Sequence, residues 1–218
     1  MHVILDHLGA ILVSSVLIAI FGVIQLRGQQ SSIDAQRDYI VTSRAYDFTA
    51  LLERDLENMR SGKQAQDALG MYECRVERSD SLTTQFTFPT LLADASGGDP
   101  TAAPIVHVTY KLEPVGTTSA MGKTRALYKV DRSVDGYPEH SGSSGDVVTN
   151  LRVDLLKRDG TPTVGATTTA DCDAETRQVR VQMLASMEGV TPNGWSAGSH
   201  FNAARYGVTL QPSNLTAE

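Results

Sequence analysis

Seventeen consecutive residues, Leu8 to Ile24, carry no charge, and eleven of them are Leu, Ile, Val or Phe. On translocon-based insertion scales each of those eleven contributes roughly −0.3 to −0.6 kcal/mol. Their sum of roughly −5 kcal/mol outweighs the modest cost of Gly9, Ser14, Ser15 and Gly22. At about 1.5 Å per residue, Leu8 to Leu26 covers close to the roughly 30 Å of a bilayer's hydrocarbon. A cleaved secretory signal is the competing reading, but Asp6 and His7 stand where basic residues are expected, and no small-x-small cleavage pattern precedes Gln25–Arg27. A buried core helix fits poorly, because the run has no polar face. We read residues 1–28 as a retained transmembrane helix. The basic residues Arg27, Arg37 and Arg44 weakly favour an outward N-terminus. The cysteines and the character of the later domain favour the opposite orientation, which we adopt.

After Gly28 the hydrophobicity becomes one-sided. Val41, Ala45, Phe48, Leu52, Leu56 and Met59 follow steps of three and four, and at about 100° per residue they share one stripe. Asp38, Arg44, Glu53, Arg54 and Glu57 fall on the opposite side. Residues 29–62 are therefore expected to form an amphipathic helix packed on a head, with Ser61–Gly62 as its stop. A continuous helix from Leu8 to Met59 would be about 78 Å long. A separate anchor, a joint around Gly28–Ser32 and an ordinary helix is the alternative.

Beyond Gly70 the signals are for strands. Val106, Val108, Tyr110 and Leu112 alternate with His107, Thr109 and Lys111, the period of a half-buried antiparallel strand. Similar runs occur at Tyr72–Glu77, Leu82–Phe88, Ala126–Val130, Leu151–Leu156, Val179–Leu184 and Tyr206–Leu210. Loops are expected at Ala93–Pro104, Pro114–Lys123, Ser133–Gly145 and Gly160–Asp173. The expected class is α+β: a long N-terminal helix, transmembrane then amphipathic, packed on an antiparallel β-sheet head of residues 63–218. With 6% aromatic residues the head's core must be mainly aliphatic.

A net charge of −6 and a pI near 5.3 argue against a nucleic-acid partner, which needs clustered Lys and Arg. Cys74 and Cys172 are either a disulfide pair in an oxidising compartment or two unrelated buried thiols; neither C-x-x-C nor zinc-like spacing is present. The five histidines show no ligand spacing, and His107, on the polar side of its strand, is expected to be solvated. The run from His140 to Gly145 brings a histidine near three serines but lacks the G-x-S-x-G elbow. No enzyme activity and no obligatory cofactor are expected. Asp131, Ser133 and Asp135 have the 1, 3, 5 spacing of a calcium loop, with Gly136 at position 6, but Gly142 stands where the bidentate acid belongs, so an acidic turn is the default. Asp171 to Glu175 is a similarly weak acidic run. Asn214-Leu-Thr216 has the form of a glycosylation acceptor.

Taken together, the apolar N-terminal helix, Ala50-Leu-Leu-Glu-Arg-Asp-Leu56, Val108-Thr-Tyr-Lys-Leu112, Leu127-Tyr-Lys-Val-Asp-Arg132, Val147 to Gly160 and Arg177 to Leu184 resemble, in that order, the type IV pilin-like family. Within it they are most similar to minor pseudopilin J of type II secretion and the minor pilin W group. That family carries a short basic leader and a glutamate at the fifth mature position; here Leu5 holds that place and Asp6 stands one residue on. The resemblance implies a structural subunit held in the inner membrane and then drawn into an extracytoplasmic or cell-surface filament. Assembly would run through Asp6, Leu8, Ile11, Leu12, Leu17, Ile20 and Phe21 against the N-terminal helices of other pilin-like subunits. A single-pass anchored domain that binds a glycan or an envelope partner is the alternative, and a signal-anchored enzyme is a third.

Overall fold

The computed structural model describes residues 2–60, 62–69, 73–92, 103–120, 123–145, 148–163, 165, 169–172, 175–187 and 202–212. Helix α1 runs His2–Glu57 and α2 runs Gly62–Leu69. The strands are β1 (Arg75–Ser79), β2 (Leu82–Leu91), β3 (Ile105–Ala120), β4 (Lys123–Val134), β5 (Gly142–Ser143), β6 (Val148–Leu156), β7 (Ala170–Asp171), β8 (Gln178–Met187) and β9 (Asn202–Leu210). An N-terminal apolar helix and a large antiparallel sheet make the chain α+β. The chain divides into two compact units, residues 1–40 and 41–218, so the end of α1 belongs to the same unit as the sheet.

Among the described residues the sheet order is β7-β1-β2-β3-β4-β6-β8-β9, with β5 paired to β4. β4 meets β6 through the single pair Tyr128↔Val148, after which the two strands diverge. That exposes the backbone of β6, and the β1–β2 hairpin seals it with side chains. The Val153 N–H donates to Thr83 Oγ1 at 2.9 Å, and Arg78 Nη2 donates to the Val153 carbonyl at 2.7 Å. Polar groups that a neighbouring strand would have paired are thus satisfied.

One core serves the whole head. Ala45, Phe48, Leu52, Leu56 and Met59 lie in it with Val76, Phe86, Phe88, Val108, Tyr110, Val130, Val153, Val179 and Val181. Phe48 meets Tyr110 edge-on with ring centroids 5.8 Å apart, and Phe86 stacks on Phe88 at 4.6 Å. The side chain of Val41, expected in the same stripe, lies outside the described residues.

The structure differs from the sequence expectation in several places, each for a physical reason. α1 stops at Glu57, before the expected Ser61–Gly62, because the chain is pulled into strand-like pairing with β2: the Arg60 N–H donates to the Pro89 carbonyl, the Leu91 N–H to the Asn58 carbonyl, and Met59 bridges Thr90. Asn58 closes the helix on the Arg54 carbonyl, to which both its backbone N–H, at 3.1 Å, and its Nδ2, at 2.9 Å, donate. Gly62 opens α2 instead of ending α1, and Ala65 of α2 is fully buried. The segment Pro114–Lys123 is not a loop but the far end of the β3–β4 hairpin, where a bulge between Pro114 and Gly116 absorbs the proline's missing donor and Thr117 and Thr118 resume pairing with Ala126 and Arg125. Within Ser133–Gly145 lie the last turn of β4, a short 3₁₀ helix and β5, and within Gly160–Asp173 lies β7. Most of Ala93–Pro104, and Asn214-Leu-Thr216, fall outside the described residues.

Candidate functional site

The N-terminal unit presents apolar surface that is exposed among the described residues. Ile11 and Phe21 are 68% and 64% exposed, and Leu12, Leu17 and Ile20 are likewise exposed. Gly9–Gln36 is one helix long and apolar enough to cross a membrane, and none of its most apolar window is buried within the chain. Ser15, a polar interruption in that run, donates its hydroxyl to the Leu12 carbonyl at 2.8 Å, so it presents no free donor to lipid. Asp6 and Leu8 are helical, but their side chains lie outside the described residues.

In the head a buried polar cluster ties helix to sheet. Asp55 is 4% exposed and receives Arg132 Nε at 2.6 Å on Oδ2 and Nη2 at 3.0 Å on Oδ1, a bidentate fork. The Tyr110 hydroxyl donates to Oδ2 at 2.6 Å. The Thr90 hydroxyl donates to the Asp55 backbone carbonyl at 2.7 Å, and Arg132 Nη1 donates to the His140 carbonyl. Burial works against the Arg132 charge, yet the hydrogen bond and attraction of Asp55 outweigh it and raise its pKa. Burial, reinforced by the Asp55 charge, pushes the Tyr110 hydroxyl well above its ordinary value. Sequence reading missed this cluster. Its one signal was position: Asp55 is seven residues from Phe48, about 20° away around the helix, and so lies inside the apolar stripe.

Cys74 and Cys172 are joined by a disulfide with Cα atoms 5.3 Å apart. The Cys172 N–H donates to the Cys74 carbonyl at 2.9 Å, continuing the β1–β7 ladder. A loop of nearly a hundred residues is closed, worth about 4.7 kcal/mol on the chain-entropy account. Reduction, or replacement of both cysteines by Ser, is expected to lower the head's stability by about 2–5 kcal/mol, read as a lower urea midpoint with and without dithiothreitol.

The calcium-loop geometry expected of Asp131, Ser133 and Asp135 does not form. Asp131 and Ser133 belong to β4, where alternate residues share a face about 7 Å apart and do not converge. The Asp131 carboxylate is taken by Lys129 Nζ at 2.8 Å, and Ser133 Oγ donates to the Thr109 carbonyl at 3.4 Å. Asp135 lies 4.0 Å from His107 Nδ1. Among the described residues no group of three His, Cys, Asp or Glu is placed to hold a metal. His107 is buried, not solvated, and the Asp135 N–H donates to its carbonyl at 3.0 Å, one step beyond the Val108↔Val134 pair of the β3–β4 ladder. Within His140–Gly145, Ser144 Oγ accepts the Val130 N–H at 2.9 Å and donates to the Gly145 carbonyl, a structural use.

A second buried carboxylate, Asp154 on β6, has its pKa lowered: burial opposes the charge, but the hydrogen bonds of Arg152 and Arg180 prevail. Asp131 is lowered in the same sense, with Lys129 and Ser143 overcoming burial. A depressed folded pKa adds stability that is fully present above the ordinary value of 3.8 and is lost as pH falls through the folded value. The urea midpoint is therefore expected to hold steady down to about pH 5 and fall steeply below about pH 4. Asp154→Asn should flatten part of that fall.

Fold and exposed helix together define an α+β protein with, among the described residues, one candidate membrane span and a disulfide-bonded antiparallel head. Comparison with known protein families, with curated proteins and with solved structures finds no match.

Proposed function

We propose that this chain is a structural subunit of a type IV pilin-like filament, a minor pilin or pseudopilin, held in the inner membrane by its N-terminal helix before assembly. The observation that carries the reading is the apolar run of α1, exposed among the described residues, in a chain whose head has its own core. Such a run needs lipid or other helices around it. Exchanging lipid contacts for similar apolar contacts in a bundle is nearly balanced in free energy, so one segment can serve both states and be moved between them by an external motor. Asp6, if carried into the bundle, requires a cationic partner, which a neighbour's N-terminal amine supplies. The Cys74–Cys172 disulfide supports an extracytoplasmic head, since such bonds persist in oxidising compartments. The role needs no catalytic residue.

The test is site-specific photocrosslinking from Ile11 and Phe21 in the native cell, combined with purification of surface filaments or secretion assemblies. Crosslinks to further copies or to other small helix-anchored subunits, with the chain present in the assembly, are expected. Crosslinks to lipid alone, with no ordered neighbour, would sink the filament reading and leave a single-pass anchored binding domain.

A further inference from the structure

On β6 and β8, facing away from the core residues Val153 and Val181, three arginines share one carboxylate. Asp154 and Arg78 are each only 2% exposed in their side chains, whereas Arg152 and Arg180 keep 30% and 34% of theirs in solvent. Arg152 reaches Asp154 through Nε alone, at 3.1 and 3.0 Å from its two oxygens. Arg180 uses Nε and Nη2, at 3.3 and 2.8 Å from Oδ2. Arg78 Nη2 stands 3.6 Å from Oδ1 and also binds the Val153 carbonyl.

Two consequences follow from that geometry. Asp154 can neutralise only one of the three cations, and two of them are held in place by it. Arg152 Nε and Arg180 Nη2 contact the same oxygen and so cannot be more than 5.8 Å apart. Both Nη groups of Arg152 and Nη1 of Arg180 have no partner among the described residues, and both side chains reach solvent. Two adjacent guanidinium forks fixed by a buried carboxylate, with three amino groups left over, are a preorganised receptor for an oxyanion.

We propose that Arg152 and Arg180 form a binding site for a phosphate monoester. Its three terminal oxygens match the three unused amino groups, where a carboxylate offers only two, and its charge of about −1.5 to −2 answers the cationic excess. On a chain of net charge −6, a local cationic cluster favours a small or terminal phosphate over a polyanionic backbone, whose further charges would meet like charge. The site does not depend on the filament reading.

The full chain in detergent micelles is titrated with inorganic phosphate, with sn-glycerol 3-phosphate and with acetate at constant ionic strength, followed by ³¹P line broadening and calorimetry. Saturable binding of both phosphates at about 1 mM or tighter is expected, with acetate at least about tenfold weaker. The double variant Arg152→Gln/Arg180→Gln should lose at least about tenfold in phosphate affinity, Arg152→Lys should lose most of that by keeping charge without the fork, and the exposed Arg205→Gln should bind as wild type. Unfolding curves of each variant separate a lost site from a lost fold, and the wild-type titration stands without any variant. Absence of saturable phosphate binding, unchanged binding in the double variant, an equal loss in Arg205→Gln, binding of free phosphate but not its ester, or acetate binding as tight as phosphate would each overturn the proposal.

Discussion

Replacing Asp55 with Ala is expected to destabilise the head by about 3–5 kcal/mol, a large share of the roughly 5–15 kcal/mol that holds a typical domain folded. The reason lies in what remains. Arg132 would keep its charge in the interior, with its Nε and Nη2 donors stripped of the carboxylate they fork around, and the Tyr110 hydroxyl would lose its acceptor. Removing one partner of a buried pair exposes the full desolvation penalty of the other, which is far more than the pair itself contributes. Two further variants separate these effects. Tyr110→Phe removes a single donor and should cost only about 1 kcal/mol, and the double replacement Asp55→Leu/Arg132→Met, apolar on both sides, should recover most of what Asp55→Ala loses. Urea titrations at unchanged m provide the measurement. A loss below about 1 kcal/mol in Asp55→Ala would mean that the carboxylate does not neutralise Arg132.

The cluster also gives the helix a defined position. The apolar contacts of Phe48, Leu52 and Leu56 tolerate small slides along the sheet, since hydrophobic burial has no direction. A bidentate fork does not. With Arg132 on β4, Tyr110 on β3 and Thr90 on β2 all reaching Asp55, one residue of α1 is fixed to three adjacent strands. Loosening that point should leave a head that still collapses but holds the helix less uniquely.

The parts legible in the sequence were those governed by periodicity. Steps of three and four from Ala45 to Met59, and the alternation in Val106 to Leu112, report directly which side chains meet the core, because burial and period have the same physical origin. What stayed hidden depended on partners distant in the chain. Asp55 reads as one more charge on a charged helix until Arg132, seventy-seven residues later, is placed beside it. β5 and β7, two residues each, are too short to show any period and exist only because β4 and β1 offer them an edge. The end of α1 was set by β2 and not by the glycine at position 62. His107 was assigned to a solvated face on alternation alone, and alternation does not report that its side chain is buried. The spacing of Asp131, Ser133 and Asp135 suited a loop, but β4 continued through it, and Lys129 took the first acid. The Arg152–Asp154–Arg180 arrangement combines both cases: Arg152 and Asp154 are two apart on one strand and could be placed on one face, while Arg180 arrives only through the pairing of Asp154 with Arg180 across β6 and β8.

Arginine at both Leu17 and Ile20 is expected to abolish membrane retention. Each substitution replaces a residue worth roughly −0.5 kcal/mol by one costing about 3 kcal/mol at a helix centre, so the pair shifts insertion by about 7 kcal/mol against a total of only roughly −5 kcal/mol for the wild-type run. Both positions are half exposed among the described residues, so no packing seen there should offset the change. Carbonate extraction followed by sedimentation gives the readout: wild type in the membrane pellet, the double variant in the supernatant or degraded. The cysteines report on the other half of the molecule. If the head is extracytoplasmic, as proposed, a variant that fails to insert keeps it on the reducing side, so Cys74 and Cys172 should become open to alkylation while wild type remains blocked by its disulfide. A helix whose true setting is aqueous would behave oppositely, since two arginines on an exposed face would raise its solubility and leave the disulfide intact. Sedimentation of the double variant with membranes as wild type, its cysteines still oxidised, is therefore the result that would remove the bilayer from any account of this helix.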